Sequence, residues 1–313
     1  MNRIITGNSI KVLHEFSSES IDLAVTSPPY FNARDYSLWG TFDDYMSDMR
    51  SVFEGVYKTL KNHRYIVVND GDVVTKGLGE PKWATRKYAL GAYFTVMLEE
   101  IGFSYVDDYI WDKGEPQSKR HLGNPPYPFY QYPVNCYEHI LVFVKNKLDK
   151  KKVPCPVCKE TITISNSQTA RGVQSWECNN PNCPQKSANG RGKRFSARSV
   201  MMNDYKSPAN EISEELIGKW RRDIVRINPV KKINSSGFNT LGHSAPFPED
   251  IPEMAIRYFS GTGDVVLDCF GGSGTTAMVA KRLDRRFIHV DINEYYNGIA
   301  RKRIKKNNKT NEL

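Results

Sequence analysis

The chain has 313 residues, with 44 Lys and Arg against 35 Asp and Glu and a formal net charge of +9. Hydrophobic residues make up 39% of it and aromatic residues 12%, which is too much core material for a mainly disordered protein. No run approaches the roughly 18 apolar residues of a membrane span, the first residues lack the pattern of a signal peptide, and Cys is too sparse for a disulfide scaffold. The composition predicts a globular, cytoplasmic protein with no membrane partner.

Short apolar runs alternate with helical stretches over much of the chain. In the first part, strands are predicted over 21–25, 64–69, 105–111 and 140–144, and helices over 43–61 and 88–102. In the last part, helices are predicted over 250–260 and 275–284, and strands over 264–270 and 286–292. This alternation is typical of an α/β fold with a mostly parallel sheet.

The strand predicted over 21–25 runs directly into Thr26-Ser27-Pro28-Pro29-Tyr30. Two successive prolines end the strand and favour an extended backbone at Ser27 and Pro28. The segment can present the Ser27 hydroxyl, a backbone carbonyl and the Tyr30 ring, which together suit a planar base with an exocyclic amine. A rigid loop without a ligand is the alternative. We favour a binding role because ligands of open α/β sheets bind at the carboxyl ends of strands.

Residues 146–222 are the basic part of the chain. They hold 15 Lys and Arg against 7 Asp and Glu, a net charge of +8, whereas the remaining residues carry a net charge of only +1. A basic segment on a near-neutral body is typical of a protein that brings a polyanion to one face. A solvated, Lys-rich insertion is the alternative interpretation.

The same segment contains two closely spaced Cys pairs, Cys155/Cys158 and Cys178/Cys183, with 19 residues between them. Two such pairs can close a tetrahedral site with no open position, so the pattern predicts a structural zinc ribbon over 155–183 rather than a catalytic metal. Free thiols or disulfides are the alternatives. A reducing compartment and a segment poor in core residues favour the metal. The other two Cys, at 136 and 269, are predicted to be small core residues.

Basic residues follow the second Cys pair. Those that we expect to contact phosphates or base edges of a nucleic acid are Arg191, Lys193, Arg194 and Arg198. These residues favour nucleic acid as the polyanion that 146–222 binds.

A glycine-rich turn joins the strand and helix predicted near the C-terminus. Gly271, Gly272 and Gly274 allow a sharp turn and close approach of a ligand, and the helix that begins near Thr275 directs free N–H groups at the same place. Asp291 ends the next strand, 19 residues after Gly272, where a carboxylate binds ribose hydroxyls in Rossmann-type sites. The third glycine of the dinucleotide fingerprint is replaced by threonine, which favours an adenosine-bearing cofactor without a pyrophosphate. A tight turn with no ligand is the alternative.

Together, Thr26–Tyr30 and Asp268-Cys-Phe-Gly-Gly-Ser-Gly-Thr-Thr276 resemble the two signature motifs of amino-directed DNA methyltransferases that use S-adenosylmethionine. The catalytic motif precedes the cofactor motif, with an insertion between them, and this order resembles the β class. Further segments also resemble the family: Gly7-Asn8-Ser9, Trp111-Asp-Lys113, Glu138-His-Ile-Leu141 with Lys145, and His243-Ser-Ala-Pro-Phe-Pro248. The resemblance covers roughly 1–145 and 223–313. The basic segment 146–222 lies outside it, and we therefore interpret it as the segment that recognises the DNA target.

The resemblance implies a Rossmann-like methyltransferase fold of two core parts, 1–145 with the catalytic motif and 223–313 with the cofactor motif, separated by the insertion 146–222. It implies that the flipped base is bound by Ser27, Pro28, Pro29 and Tyr30. It implies that S-adenosylmethionine is bound by Asn8, His243, Phe247, Asp268, Phe270, Gly271, Gly272, Gly274, Thr275 and Asp291.

The resemblance also implies a class of substrate. Ser27, where many relatives have Asp, is similar to cytosine-N4 enzymes and favours cytosine over adenine N6. The expected partner is double-stranded DNA, with a cognate restriction endonuclease and a homodimer left open. Two alternatives from other classes are a non-catalytic zinc-ribbon DNA-binding module and methylation of RNA or of protein glutamine.

Overall fold

The computed structural model describes residues 2–33, 38–81, 84–114, 127–128, 133, 135–147, 152–168, 173–185, 192, 194–230 and 247–306. In these ranges the strands are β1 (Arg3–Thr6), β2 (Ile21–Thr26), β3 (Leu60–Asp70), β4 (Val73–Thr75), β5 (Arg86–Tyr88), β6 (Phe103–Asp112), β7 (Tyr137–Lys145), β8 (Thr163–Gln168), β9 (Gln174–Cys178), β10 (Arg194–Ser196), β11 (Ile224–Arg226), β12 (Val265–Asp268) and β13 (Arg286–Asp291). The helices are α1 (Ser9–Glu15), α2 (Phe42–Thr59), α3 (Leu90–Ile101), α4 (Ala197–Asp204), α5 (Glu214–Lys219), α6 (Asp250–Phe259), α7 (Thr275–Arg282) and α8 (Glu294–Lys306).

An eight-stranded sheet in the order β1-β13-β12-β2-β3-β7-β6-β11 forms the centre of the fold. All neighbouring strands are parallel except at β7, which is antiparallel to both β3 and β6. The prediction of an α/β fold with a mostly parallel sheet is therefore confirmed. Because the strands are parallel, β1, β2, β3, β12 and β13 end at one edge of the sheet, which we call the carboxyl edge. The opposite edge is called the amino edge.

Apolar side chains cover both faces of this sheet. One face packs under α1, α2 and α3 through residues such as Phe53, Ile66 and Phe94, and the other packs under α6 and α7 through residues such as Val67 and Ile256. Strand β2 is buried along its whole length, as expected for a central parallel strand that is covered on both sides.

Local signals in the sequence set the ends of the helices. Thr41 forms a capping box with Asp44 at the start of α2, and Gly102 ends α3 with a φ of 115°. The helix predicted from residue 88 starts later, because 86–88 pairs with β4 as strand β5. The strand predicted over 140–144 begins earlier, at Tyr137, because polar residues open β7 and mask its strand pattern.

The insertion leaves the core at the amino edge. β7 ends at Lys145, which pairs with Phe103 at the start of β6, and a separate antiparallel sheet in the order β10-β9-β8 follows. The next part of the insertion packs against the core. Tyr205 donates a hydrogen bond to Asp264 over 3.0 Å and accepts one from Arg64, which also lies 3.2 Å from Asp22.

The insertion is thus anchored at Arg64 on β3 and at Asp264, just before β12. Arg64 is six residues from the carboxyl end of β3 at Asp70, which is about 20 Å at about 3.3 Å per residue. In the ranges that the structure covers, no helix has the length and apolar character that would be needed to cross a membrane.

Candidate functional site

The residues predicted to act in catalysis and cofactor binding gather at the carboxyl edge. β2 ends at Thr26, just before the Ser27–Tyr30 segment, and β12 ends at Asp268, just before the glycine turn. These two strands are neighbours in the sheet. Thr26 Oγ1 donates a 2.7 Å hydrogen bond to Asp268 Oδ1, although the two residues are 242 positions apart. The structure therefore joins the two predicted motifs into one site.

The glycine turn comes close to the neighbouring strand. Gly271 N donates to the Val290 carbonyl over 2.9 Å, and a Cβ on Gly271 would lie 2.1 Å from the His289 ring. Gly274 has a φ of +81° and directly precedes α7. Only glycine fits both positions without strain. The backbone can thus bend sharply at the start of α7, which leaves the first N–H groups of that helix available.

Asp291 connects the glycine turn to the end of β13. Its Oδ2 accepts from Gly272 N over 2.8 Å, and its Oδ1 accepts from Asn293 N over 2.8 Å. Burial raises the pKa of this carboxyl. A carboxylate has about four lone-pair sites, so two backbone donors leave capacity for a ligand's hydroxyl groups.

Asp268 has one satisfied and one free oxygen. Oδ1 accepts from Thr26 and, over 3.1 Å, from Phe270 N. Oδ2 is buried and has no partner at hydrogen-bonding distance among the described residues, although the nearby Thr276 hydroxyl partly offsets the effect of burial on the pKa of Asp268. Burial raises the pKa of Asp268 to about 6. An unpaired buried carboxylate oxygen is costly unless a donor or a positive charge reaches it. An ammonium group is a donor of the kind that would satisfy this oxygen.

The other predicted cofactor residues have different surroundings. Asn8 caps α1, its side chain accepting from Ile10 N over 2.9 Å, and the Ser9 hydroxyl donates to the carbonyl of buried Cys269. This hydrogen bond brings the start of α1 against the glycine turn. Phe247 is half-buried and packs on the face of the sheet covered by α6 and α7. His243 lies outside the described residues.

The Ser27–Tyr30 segment is held by a hydrogen bond from the core. The hydroxyl of fully buried Tyr45 donates to the Pro29 carbonyl over 3.0 Å. Ser27, Pro29 and Tyr30 are half-buried, and Pro28 is buried. A segment held at both its strand and its carbonyl can present Ser27 and the Tyr30 ring in one fixed orientation.

Tyr30 is linked to polar residues for which the sequence predicted no role. Its hydroxyl donates to Glu138 Oε2 over 2.9 Å, and Asn69 Nδ2 donates to the same oxygen over 3.1 Å. Lys113 forms an ion pair with Oε1 of Glu138. Burial and the carboxylates of Glu138 and Asp70 raise the pKa of Tyr30 well above its usual value, so the phenol stays protonated.

Asp70 is a further site residue that the sequence analysis missed. It ends β3, next to β2, and neither of its buried oxygens has a partner among the described residues. Burial raises its pKa well above the usual carboxyl range. Such a group in a site is a functional candidate. The signal available in the sequence was an acid at the end of the strand next to the Ser27–Tyr30 segment.

The four clustered Cys residues meet at one point in the insertion. Their Sγ atoms all lie within 4.8 Å of one another, and those of Cys158 and Cys178 are 3.7 Å apart. A tetrahedral zinc with Zn–S bonds near 2.3 Å places its sulfurs about 3.8 Å apart. Buried Trp176 and Phe195 pack beside the cluster. The donor set and spacing therefore fit a zinc ion.

Two of the four predicted DNA-contacting residues are described. The Arg194 side chain is 60% exposed and lies 3.4 Å from Glu177. The Arg198 guanidinium donates to the hydroxyl of Tyr65, which follows Arg64 on β3, so it is held beside the anchor of the insertion. Arg191 and Lys193 lie outside the described residues. The DNA-binding role of these four residues stays a prediction.

Comparison with known proteins identifies a family model and relatives that match most of this chain. Residues 21–302 match the family model described as DNA methylase. The type II beta methyltransferase M.BslI of Bacillus sp. (strain NEB-606) is 32% identical over 305 residues, covering 96% of this chain and 27% of M.BslI. This chain therefore spans about a quarter of that relative's length.

Two solved structures share the fold. TTHA0409 of Thermus thermophilus has a TM-score of 0.62 and 23% identity, covering 98% of this chain and 95% of that one. The PvuII DNA methyltransferase, whose printed name is cytosine-N4-specific, has a TM-score of 0.56 and 21% identity, covering 96% and 86%.

Proposed function

The chain belongs to the DNA methylase family, as an amino-directed methyltransferase of the β class, and from this membership we propose that it transfers a methyl group from S-adenosylmethionine to the exocyclic amine of a flipped base at specific sites in double-stranded DNA. The observation that carries the proposal is the Thr26–Asp268 hydrogen bond. It places the segment suited to a base and the turn suited to the cofactor side by side at the carboxyl edge.

The cofactor part of the site is formed by the glycine turn and two carboxylates. Asp268 Oδ2 would accept from the methionine ammonium group, and Asp291 would accept from ribose hydroxyls beside the turn. Asn8, His243, Phe247, Phe270 and Thr275 would line the rest of the pocket. The bound cofactor supplies an electrophilic methyl group on a sulfonium.

The base part of the site is formed by Ser27, Pro28, Pro29 and Tyr30. The Ser27 hydroxyl and the Pro28 carbonyl would accept the two N–H bonds of the target amine and so turn its lone pair toward the methyl group. The Tyr30 ring would stack on the flipped base and offset part of the cost of unstacking it. Orientation of this kind contributes up to roughly 7–11 kcal/mol in well-aligned model reactions.

Asp70 is our candidate for accepting the proton that the amine releases. The nitrogen forms a bond to the methyl carbon as the carbon–sulfur bond breaks, and the nitrogen then gives up one proton. Asp70 ends the strand next to the Ser27–Tyr30 segment, and its buried oxygens are unpaired among the described residues. Because burial favours its neutral form, a proton that reaches the ionised carboxylate is retained.

Cytosine N4 is the favoured target, with adenine N6 as the alternative. Ser27 supports this choice, and the PvuII methyltransferase that shares the fold is described as cytosine-N4-specific. The test is to incubate the protein with labelled S-adenosylmethionine and unmethylated DNA, digest the DNA, and identify the nucleoside by mass. N4-methylcytosine supports the proposal. N6-methyladenine corrects the base, and no labelled nucleoside contradicts the activity.

We also propose that Cys155, Cys158, Cys178 and Cys183 hold a structural zinc ion. The spacing of their sulfur atoms supports it, and the small sheet β10-β9-β8 offers little other core. The metal would thus stabilise the fold of this part of the insertion.

The insertion 146–222 is proposed to recognise the DNA target, through Arg191, Lys193, Arg194 and Arg198 among others. Its net charge of +8 supports binding to a polyanion. A deletion variant that loses site-selective methylation while it still binds S-adenosylmethionine would support this role. Unchanged methylation sites would contradict it.

The proposed partners also include a cognate restriction endonuclease and a second copy of the chain in a homodimer. Light scattering with and without DNA tests the dimer.

A further inference from the structure

We propose that Glu138, held in place by Lys113 and Asn69, is a positioning residue that fixes the Tyr30 ring for stacking on the target base. The inference rests on the proposed function, since it assigns a support to the ring that is proposed to bind the base. It gives a role to two sequence segments, around residues 111–113 and 138–141, that the proposed mechanism leaves unused.

The contacts form one connected chain from Tyr30 outward. Glu138 Oε2 accepts from the Tyr30 hydroxyl over 2.9 Å and from Asn69 Nδ2 over 3.1 Å. Its other oxygen, Oε1, is paired with Lys113 Nζ. Asn69 also donates to the His139 carbonyl over 3.0 Å. Both oxygens of Glu138 are thus occupied, and one of them is bound to the ring proposed to stack on the base.

The backbone places Glu138 at this point from two sides. Glu138 lies at the start of β7 at the carboxyl edge, opposite Trp111 of β6, and Lys113 follows β6 with its N–H bonded to the Cys136 carbonyl over 2.8 Å. A Cβ on Gly71 would lie only 2.8 Å from Glu138 Cγ. Since that separation is shorter than real Cβ contacts, glycine at 71 leaves the room that the Glu138 side chain occupies.

The charges explain why a carboxylate suits this position. The side chains of Lys113 and Glu138 are only 16% and 12% exposed, so each charge depends on the other. An ionised acceptor forms a shorter and stronger hydrogen bond than a neutral one. The Tyr30 phenol is protonated because its pKa is raised in this environment, and it therefore acts as the donor. The Tyr30 ring is therefore held at its hydroxyl end.

The pair Tyr30→Phe and Glu138→Gln tests this link, because each variant keeps the size of the side chain. We would measure kcat and KM for S-adenosylmethionine on amplified, unmethylated DNA for both single variants and the double variant. Glu99→Gln, an exposed position on α3, is the matched control. We expect each single variant to lower kcat about tenfold, with KM for S-adenosylmethionine unchanged. The double variant should be no worse than either single one. Losses that multiply to about a hundredfold would overturn the inference.

A second measurement does not depend on activity. In protein labelled with 3-fluorotyrosine, the ¹⁹F resonance of Tyr30 is identified by its loss in Tyr30→Phe. It should move in Glu138→Gln and stay in place in Glu99→Gln. An unchanged Tyr30 resonance in Glu138→Gln would overturn the inference even if the enzyme is active. If the wild-type protein methylates no DNA, the proposed function fails, and this resonance still decides whether Glu138 holds Tyr30.

Discussion

Binding of S-adenosylmethionine should weaken in acid because of Asp268. Its buried carboxyl has a pKa raised to about 6 from an ordinary value of 3.8, and Oδ2 has no partner among the described residues. In the proposed site the cofactor's ammonium group would favour the ionised form of Asp268, so binding should compete with protonation. Affinity should therefore be full above pH 6 and fall as the pH drops through that value.

The magnitude follows from this pKa. The raised pKa corresponds to a cost of about 3 kcal/mol for ionising Asp268 in this site. If binding requires the carboxylate, the Kd at pH 5 should exceed that at pH 7 by about tenfold, since the ionised fraction falls by that factor. The dependence of Kd on pH should level off at a lower pH, where Asp268 is protonated in the complex as well.

Isothermal titration calorimetry of the protein with S-adenosylmethionine at pH 5, 6 and 7 measures this directly. Asp268→Asn is the matched variant, because its amide oxygen can still accept from Thr26. The variant should bind more weakly at pH 7 and show no dependence on pH between 5 and 7. A wild-type Kd that is constant over this range would refute the reasoning. A slope that persists in Asp268→Asn would assign the titration to Asp291, whose pKa is also raised.

Three further predictions address other parts of the structure. Gly271→Ala should lower the free energy of unfolding by about 1–3 kcal/mol in urea denaturation, because its Cβ would overlap His289. The control Gly298→Ala should not lower it, because a Cβ at that position meets nothing within 4 Å. Equal stability of the two variants would contradict this prediction. Asp70→Asn should lower kcat and remove the acid limb of the pH–rate profile. In the wild type this limb should lie above the usual carboxyl range, because the pKa of Asp70 is raised. A variant with the same profile as the wild type would exclude Asp70 as the proton acceptor. Elemental analysis should find about one zinc per chain, and chelation or Cys155→Ser should make the insertion protease-sensitive; a folded insertion without metal would contradict the zinc site.

The parts of the fold that the sequence predicted are those where a local pattern determines the structure. The apolar run at 21–25 and the glycine turn at 271–274 each lie where expected, and the family match covers both. Gly102 ends α3 as its position indicated. In these places the spacing of apolar residues or the conformation of a glycine is set by residues close together in the chain, so the sequence alone predicts the structure.

The parts that the sequence missed depend on contacts between distant residues. The segment that begins at Glu138 resembles the family, but the sequence gives Glu138 itself no role, which emerges only when the antiparallel β7 brings it to Tyr30. Asp70 likewise gains its unusual pKa from burial beside β2. The start of β7 was placed too late because its site residues are polar.

The insertion shows the same limit. Its charge and Cys spacing predicted a polyanion-binding segment with a metal site, but not its attachment at the amino edge. That attachment depends on Tyr205 reaching Arg64 and Asp264, which are 141 and 59 positions away along the chain. The boundaries at 146 and 222 stay a prediction, since residues near 205 pack against the core.

Methyl transfer to DNA is the central claim, and the nucleoside it produces tests it most directly. Wild-type protein and Ser27→Ala would be incubated with labelled S-adenosylmethionine and amplified DNA, and the digested nucleosides identified by mass. We expect labelled N4-methylcytosine with the wild type and a strong loss of label with Ser27→Ala, while the variant binds the cofactor as tightly as the wild type. The absence of any methylated nucleoside from wild-type reactions, with cofactor bound, would contradict it.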